Sequence, residues 1–532
     1  MAAYDAVFVG SGINSLAGAA LLAKDGWRVC VLERNDWLGG AIRTVDGLTA
    51  PGFRHEAYAS WHPLWTGSPA YAELKPDLDA RGVEYLNTDL PTATAFPDGT
   101  SAFLSTDGAA NVASFGEAWQ RQFDEFMGAA DIAFGVLGAE LWSAQGLGLG
   151  RQAYKRFGRR GVVEFAARSL LTARDWLTET FEDEAAHGLL APWVLHTGLG
   201  PDQAMSGFMT QVIACALQLG GMPVPKGGGV VLVDALAGIV RDAGGELRTE
   251  AEVDRLLVSG GRATGVRLAD GEAVEASRAV LACVTPTQLY GRLLADGDVP
   301  EHVRRAAKRF RYGRGEMQIH LALSELPRWQ GDERLARTPL VHLTSGLDGV
   351  SRAVNEAERG LLPAEATVVV GQPAALDPSR APDGSWILWV QLQELPSRPK
   401  GDAAGELDTS GGWTEELREA YADRIVERIG RHIENVDSAT VARVAMSPAD
   451  IEAANPNWVG GDIYAGSCAL DQNLLFRPTA ATPGHETPVE GLWHIGASTH
   501  PGPGLGAGSG YLVAKRLTRP PLPQRLLAKV RS

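Results

Sequence analysis

The sequence predicts an α/β fold. Three observations predict it. Near the start, Ala6-Val7-Phe8-Val9 runs into Gly10-Ser11-Gly12-Ile13-Asn14-Ser15 and then into an alanine- and leucine-rich stretch. In mid-chain, Pro225-Lys226-Gly227-Gly228-Gly229 precedes an apolar helical stretch from about Val233 to Ala243 and short strands with turns at Gly260-Gly261 and Asp270-Gly271. Towards the other end, Gly491 to Gly510 is dense in glycine without being of low complexity, as backbone lying against a flat ligand would be.

The first segment reads as a βαβ unit. The helix ends at Gly26, and Arg28-Val29-Cys30-Val31-Leu32 is a second buried strand. Gly10 permits a tight turn, and Gly12 lets backbone approach phosphate oxygens. Ile13 and Asn14 complete the turn before a helix from about Ser15 to Asp25, whose free N–H groups face a pyrophosphate. Ser15 stands where a third glycine is usual, and its small side chain still allows close helix–strand packing. Glu33 closes the second strand, where a carboxylate accepts both hydroxyls of an adenosine ribose. A plain glycine turn between strand and helix would give Glu33 no purpose.

A chain of 532 residues exceeds one simple core, so two or more domains are expected. The nucleotide domain takes 1–75, 222–289 and 452–532. A largely helical substrate or lid region takes 76–221, and a substrate domain with β-sheet takes 290–451. Hydrophobic residues at 45% and charged residues at 21% are ordinary for a soluble globular protein. A net charge of -15 argues against nucleic-acid binding. Cys30, Cys215, Cys283 and Cys468 are scattered without a CxxC, which suits a reducing compartment and gives no metal site. With no leader read ahead of the first strand and no apolar run able to span a bilayer, a cytoplasmic location is expected.

Asn35-Asp36-Trp37-Leu38-Gly39-Gly40-Ala41-Ile42-Arg43-Thr44 resembles the glycine doublet that follows the ribose carboxylate in many FAD enzymes. Trp37 and Ala41 stand where arginines are common, and Arg34 and Arg43 offer the positive charge instead. The stretches GSGINSLAGAALLAKDGWRVCVLERNDWLGG, PGFRHEAYASWHPLW, PKGGGVVLVDALA, DPSRAPDGSWILW, NPNWVGGDIYAGS and GLWHIGASTHPGPGLGAGSG together resemble the phytoene desaturase (carotenoid dehydrogenase-related) superfamily of FAD oxidoreductases. The best fit is its branch of pyridine nucleotide-disulfide oxidoreductase domain proteins. The resemblance implies a Rossmann-like FAD-binding domain, discontinuous and of the two-dinucleotide-binding type, with an α+β substrate domain. It implies FAD contacts from Gly39, Gly40 and Ala41, adenine pairing through the backbone of Val253, and a flavin lying along Gly496, Ala497, Gly506 and Ala507. Gly227-Gly228-Gly229 lacks a preceding buried strand and a following carboxylate, so no dedicated NAD(P)H domain is expected.

The loop Gly52 to His62 follows the doublet and, by the resemblance, passes near the flavin. His55, Glu56, Tyr58 and His62 are candidates for proton transfer or polar contacts, as is His500, each weighed against a purely structural role. The alternating strand Met317 to Leu323 and the run Trp386-Ile387-Leu388-Trp389 are candidate pocket walls. Trp413 to Glu434 reads as an amphipathic surface helix with Leu417, Tyr421, Ile425 and Ile429 inward, and Ser397 to Gly412 as a mobile loop. The basic stretch 151–174 is a candidate peripheral membrane contact, against the alternatives of a solvated helix face or a surface between copies of the chain.

The expected activity is FAD-dependent oxidation of a hydrophobic polyene, isoprenoid or polyketide-like substrate by hydride transfer to flavin N5, with oxygen or a quinone as acceptor. The alternatives are a flavin-dependent isomerase, saturase or cyclase, an amine oxidase, and a non-catalytic FAD-binding scaffold. Nothing in the sequence sets the oligomeric state.

Overall fold

The computed structural model describes residues 4–519; the outer ends of the first and last expected segments, 1–3 and 520–532, lie outside the described residues. Tyr4–Val9 is the heart of the first sheet because it is apolar on both faces, as a strand covered on both sides must be. It lies between Ala273–Cys283 and Val29–Leu32, parallel to both, and Glu246–Arg248 continues the sheet beyond the latter. Leu492–Ile495 pairs in parallel with the end of Ala273–Cys283, whose beginning pairs antiparallel with the hairpin of Val253–Ser259 and Arg262–Leu268. The strands ending at Val9, Cys283 and Ile495 therefore deliver their carboxyl ends to one edge, where ligands of such sheets bind.

Helix Ile13–Lys24 leaves that edge and is buried almost throughout. It is gripped by helices Val230–Asp242 and Gly508–Leu517. Glycine is required at this crossing: a Cβ on Gly510 would lie 1.8 Å from the Asn14 carbonyl oxygen. Leu16, Leu22, Leu232, Leu236 and Val513 fill the core around it.

The second sheet runs in the order 440–446, 315–323, 386–395, 368–371, 340–343, 92–95, 101–104. Its alternation separates two environments. Met317, Ile319, Leu321, Leu388 and Val390 pack beneath helix Glu415–Gly430, which buries Leu417, Tyr421, Ile425 and Ile429 against them. The other face carries Gln318, His320, Trp389 and Gln391, and a helical layer that includes Glu117–Gly138, Ala173–Thr180 and Ser206–Gly220 covers the neighbouring core.

Two expectations differ from what is found. Segment 76–221, read as largely helical, also gives strands Thr92–Ala95 and Ser101–Leu104, an antiparallel hairpin whose first strand docks in parallel on Leu340–Leu343. Loop 397–412, read as mobile, is pinned: Gly401–Asp402 pairs with Leu361–Leu362, and Asp402 accepts from Arg424 at 2.8 and 2.7 Å. Burial alone would raise the Asp402 carboxyl, but Arg424 and the backbone N–H groups of Glu406 and Leu407 hold it down at about 2. All four cysteines are free.

Candidate active site

A continuous cavity of about 430 Å³ joins the carboxyl edge of the first sheet to the polar face of the second. Of the expected cofactor residues, Gly10, Gly12, Ile13, Asn14, Glu33, Arg34, Gly39, Gly40, Ala41, Val253 and Ala497 line it. Helix Ile13–Lys24 begins with no side-chain cap, so the N–H groups of its first turn are left for a ligand. Glu33 is fixed from three sides. Its Oε2 accepts from the Ser11 N–H at 3.0 Å and the Ser11 hydroxyl at 2.7 Å, and its Oε1 accepts from the Asn35 N–H at 3.0 Å. Sequence reasoning misses Ser11, although its place between Gly10 and Gly12 marks it as the neighbour that such a carboxylate needs.

Gly12 tests whether a dinucleotide fits. Its φ of -59° suits any residue, and the nearest atom to a Cβ placed there is the Cys283 Sγ at 4.0 Å. The protein itself therefore does not require glycine at this wall of the cavity. A dinucleotide lying against the backbone would. Gly39 is different: with φ +109° its Cβ would meet the Ile42 carbonyl at 2.5 Å, so the doublet turn itself requires it.

Five expected cofactor residues do not line the cavity. Ser15 is fully buried behind the turn. The Arg43 guanidinium lies 3.6 Å over the Trp37 ring. Gly496 backs onto Cys283, Gly506 abuts the Leu64 carbonyl, and Ala507, with φ 55°, caps the last helix. The cavity is reached instead by Ser498, Pro503, Gly504 and Leu505 of that block.

Of the five catalytic candidates only Tyr58 lines the cavity. Its ring meets Trp458 edge-on at 4.8 Å, its carbonyl accepts from Trp389 Nε1 at 2.9 Å, and burial raises its phenol. The other four do not line the cavity. His55 is wholly buried, paired with Thr49 Oγ1 at 2.9 Å and edge-on to His320 at 5.2 Å, and burial, with His320 and Arg380, lowers it to about 3. Glu56 spends its oxygens on Arg380 (2.8 Å), the Gly229 N–H (2.9 Å) and Thr44 (3.1 Å). His62 pairs through Nδ1 with the Tyr85 hydroxyl at 3.0 Å, and burial, then Arg380, lowers it to about 3. His500 keeps both ring nitrogens buried without a partner, its carbonyl accepts from His485 Nε2 at 2.8 Å, and burial lowers its ring to about 4.

At the second sheet the cavity wall is made of Trp61, Trp193, His196, Gln318, Trp389, Gln391 and Gln393, with Ile213 and Leu217 from the helical layer. His196 shares a 3.0 Å hydrogen bond between Nε2 atoms with His342, and burial lowers His196 to about 3. The expected walls at 317–323 and 386–389 do contribute, through Gln318 and Trp389. Charged lining residues are confined to Glu33, Arg34, Glu252 and Arg292, beside the nucleotide strands. Among the described residues no three His, Cys, Asp or Glu side chains gather as a metal would require, and no helix is long and apolar enough to cross a membrane.

The family described as NAD(P)-binding Rossmann-like domain matches residues 9–74. Pyridine nucleotide-disulfide oxidoreductase domain-containing protein 2 of Mus musculus is 26% identical over 95% of this chain and 92% of its own length. A limonene dehydrogenase polypeptide of Castellaniella defragrans is 25% identical over 97% and 94%, and phytoene desaturase (neurosporene-forming) of Rhodobacter capsulatus is 24% identical over 98% and 95%. Among solved structures, a cofactor-binding redesign of putrescine oxidase superposes with a TM-score of 0.60 at 16% identity, covering 99% of each chain. An oxidoreductase from Methanosarcina mazei gives 0.59 at 16%, covering 96% of this chain and 99% of its own. These two show the same fold.

The cradle fits a dinucleotide, and the relatives give the class: the chain is an FAD-dependent oxidoreductase. Within that class its homologues include the phytoene desaturases and pyridine nucleotide-disulfide oxidoreductase domain-containing protein 2, matched along nearly the whole chain.

Proposed function

We propose that the chain dehydrogenates a largely apolar substrate of polyene, isoprenoid or polyketide-like type, in the manner of a desaturase. The observation that carries this reading is the continuity of one cavity from the glycine cradle to a chamber walled by Trp61, Trp193, Trp389, Ile213 and Leu217. Two relatives act, by name, on phytoene and limonene, which supports an apolar substrate class.

FAD, when bound, supplies the hydride acceptor at N5, and oxygen or a quinone takes the electrons afterwards. The chain does the rest. Ser11 and Asn35 hold Glu33 where it would accept from a ribose, and the uncapped start of helix Ile13–Lys24 would hold a pyrophosphate. The aromatic and aliphatic walls exclude water and hold the substrate through area removed from water, worth about 25 cal/mol per Å². Formation of a C=C bond takes a hydride and a proton from adjacent carbons. As hydride leaves, the neighbouring C–H becomes strongly acidic. His196, kept neutral by burial, then accepts a proton even with a lowered basicity.

The same reading includes peripheral contact with anionic lipid through the 151–174 region. Helix Ala144–Ser169 buries none of its residues, breaks at Gly158, and exposes Leu147, Tyr154 and Val163. Arg156, Arg160 and Arg168 are paired with Asp131, Glu164 and Glu125, whereas Arg151, Lys155 and Arg159 have no ion pair among the described residues. Exposed apolar groups beside free cations suit a lipid surface.

Anaerobic mixing of the oxidised holoprotein with an isoprenoid and polyene panel tests the redox step. At least one member is expected to bleach the flavin stoichiometrically and to be recovered lighter by two hydrogens. Turnover that begins only after the flavin has been chemically reduced would overturn the dehydrogenase reading.

A further inference from the structure

We infer that the substrate carries a neutral hydroxyl, received at the second sheet by the side-chain carbonyl oxygens of a row of glutamines; the inference rests on the dehydrogenase reading and narrows its substrate. Strand register places Gln318 directly opposite Gln391, with Gln393 next along the same face. All three line the cavity, with 1%, 5% and 3% of their surface exposed. Apolar side chains fill the reverse face of these strands, so the glutamines occur only where the cavity is.

The network fixes which way the Gln393 amide points. Gln391 Nε2 donates to Glu316 Oε2 at 2.7 Å. Gln393 Nε2 donates to the Tyr464 hydroxyl at 2.9 Å, which itself donates to the Leu195 carbonyl at 2.9 Å. With its nitrogen committed, the carbonyl oxygen is the free end of Gln393, and Oε1 of both Gln318 and Gln393 is buried without a partner. Buried acceptors of this kind are costly unless something donates to them.

The missing donor is neutral. None of the charged lining residues lies on this wall, so an ammonium or a carboxylate would be buried there without an opposite charge. Glu316, behind Gln391, is wholly buried and its carboxyl is pushed well above the usual range, so it offers no anion. An alcohol on an otherwise apolar skeleton matches both the acceptor row and the indole-lined remainder.

The test titrates the FAD-loaded protein with farnesol, farnesene, farnesylamine and farnesoic acid, following tryptophan fluorescence and calorimetry without turnover. Farnesol is expected to bind at least about tenfold more tightly than the other three. Its advantage over farnesene is expected to shrink to about twofold or less in Gln393→Leu and in the near-isosteric Gln318→Met, with FAD content unchanged. Farnesol binding no better than farnesene, including binding by neither, overturns the inference, as does an advantage that survives both substitutions. The wild-type comparison decides even if a variant folds poorly. Failure of dehydrogenation is read separately: a protein that prefers farnesol but whose flavin never bleaches contradicts the redox step and leaves the hydroxyl site standing.

Discussion

Glu33 shows how much of the nucleotide site depends on single side chains. Its carboxylate touches the cavity while Ser11 and Asn35 hold it from behind, so Glu33→Ala removes an ionised acceptor already in place. Hydrogen bonds to charged groups are worth about 1.5–3 kcal/mol, so FAD affinity should fall at least about tenfold, measured by flavin retention on dialysis. Arg380 makes a structural contrast. Wholly buried, it joins Glu56 at 2.8 Å, Asp377 at 3.2 Å and the Pro225 carbonyl at 2.8 Å, tying three distant segments behind the cradle. Arg380→Ala leaves Glu56 buried without its cation and should cost about 3–5 kcal/mol in denaturant unfolding; a loss below about 1 kcal/mol contradicts this role. The buried histidines set the acid limit. His55, His62 and His196 are lowered to about 3 and His320 and His494 to about 4, all chiefly by burial. The unfolded chain takes up protons near pH 6.5 that the folded chain refuses, so stability falls as pH drops from about 6.5 towards 4. Each group contributes up to about 1.4 kcal/mol per pH unit. A melting temperature that stays level over that range contradicts the assignment.

Among elements, the crossing of helices Ile13–Lys24 and Gly508–Leu517 is the tightest joint near the cofactor. Gly510→Ala should cost about 1–3 kcal/mol or more and weaken FAD binding, because the helices must separate by the width of a methyl group. The opening βαβ unit and helix Glu415–Gly430 are legible in the sequence because periodicity and burial coincide over one local stretch. The hairpin at 92–104 is not legible as sheet, since its first strand is held by Leu340–Leu343, far along the chain, and local pattern carries no record of such a partner. Loop 397–412 looks mobile from its polar composition. What pins it is Arg424, on a helix that follows it. At the site, the residues facing a nucleotide are legible from turn chemistry, whereas His55, Glu56 and His62 draw attention as reactive types. Only packing shows that Thr49, Arg380 and Tyr85 have already claimed them. On helix Ala144–Ser169, Arg151→Glu with Lys155→Glu should abolish salt-sensitive sedimentation with anionic vesicles; unchanged sedimentation contradicts the lipid contact.

For the molecule as a whole, two sheets of opposite character share one cavity: a parallel edge that presents backbone to a nucleotide, and an antiparallel wall that presents side chains to a substrate. The first is written in glycines gathered from both ends of the chain. The second is written in alternate residues of 315–323 and 386–395, where Gln318, Gln391 and Gln393 give the wall its chemistry. Everything said of redox work depends on that edge holding FAD, and Gly12 is where the question is sharpest, because the protein has room for a Cβ there and a nucleotide lying on the backbone would not. The decisive measurement is the visible spectrum and flavin content of the purified chain beside Gly12→Val. The account predicts about one FAD per wild-type chain and a folded, colourless variant that melts cooperatively. A wild-type chain that stays colourless with added FAD, or a Gly12→Val chain loaded as fully as wild type, would contradict it.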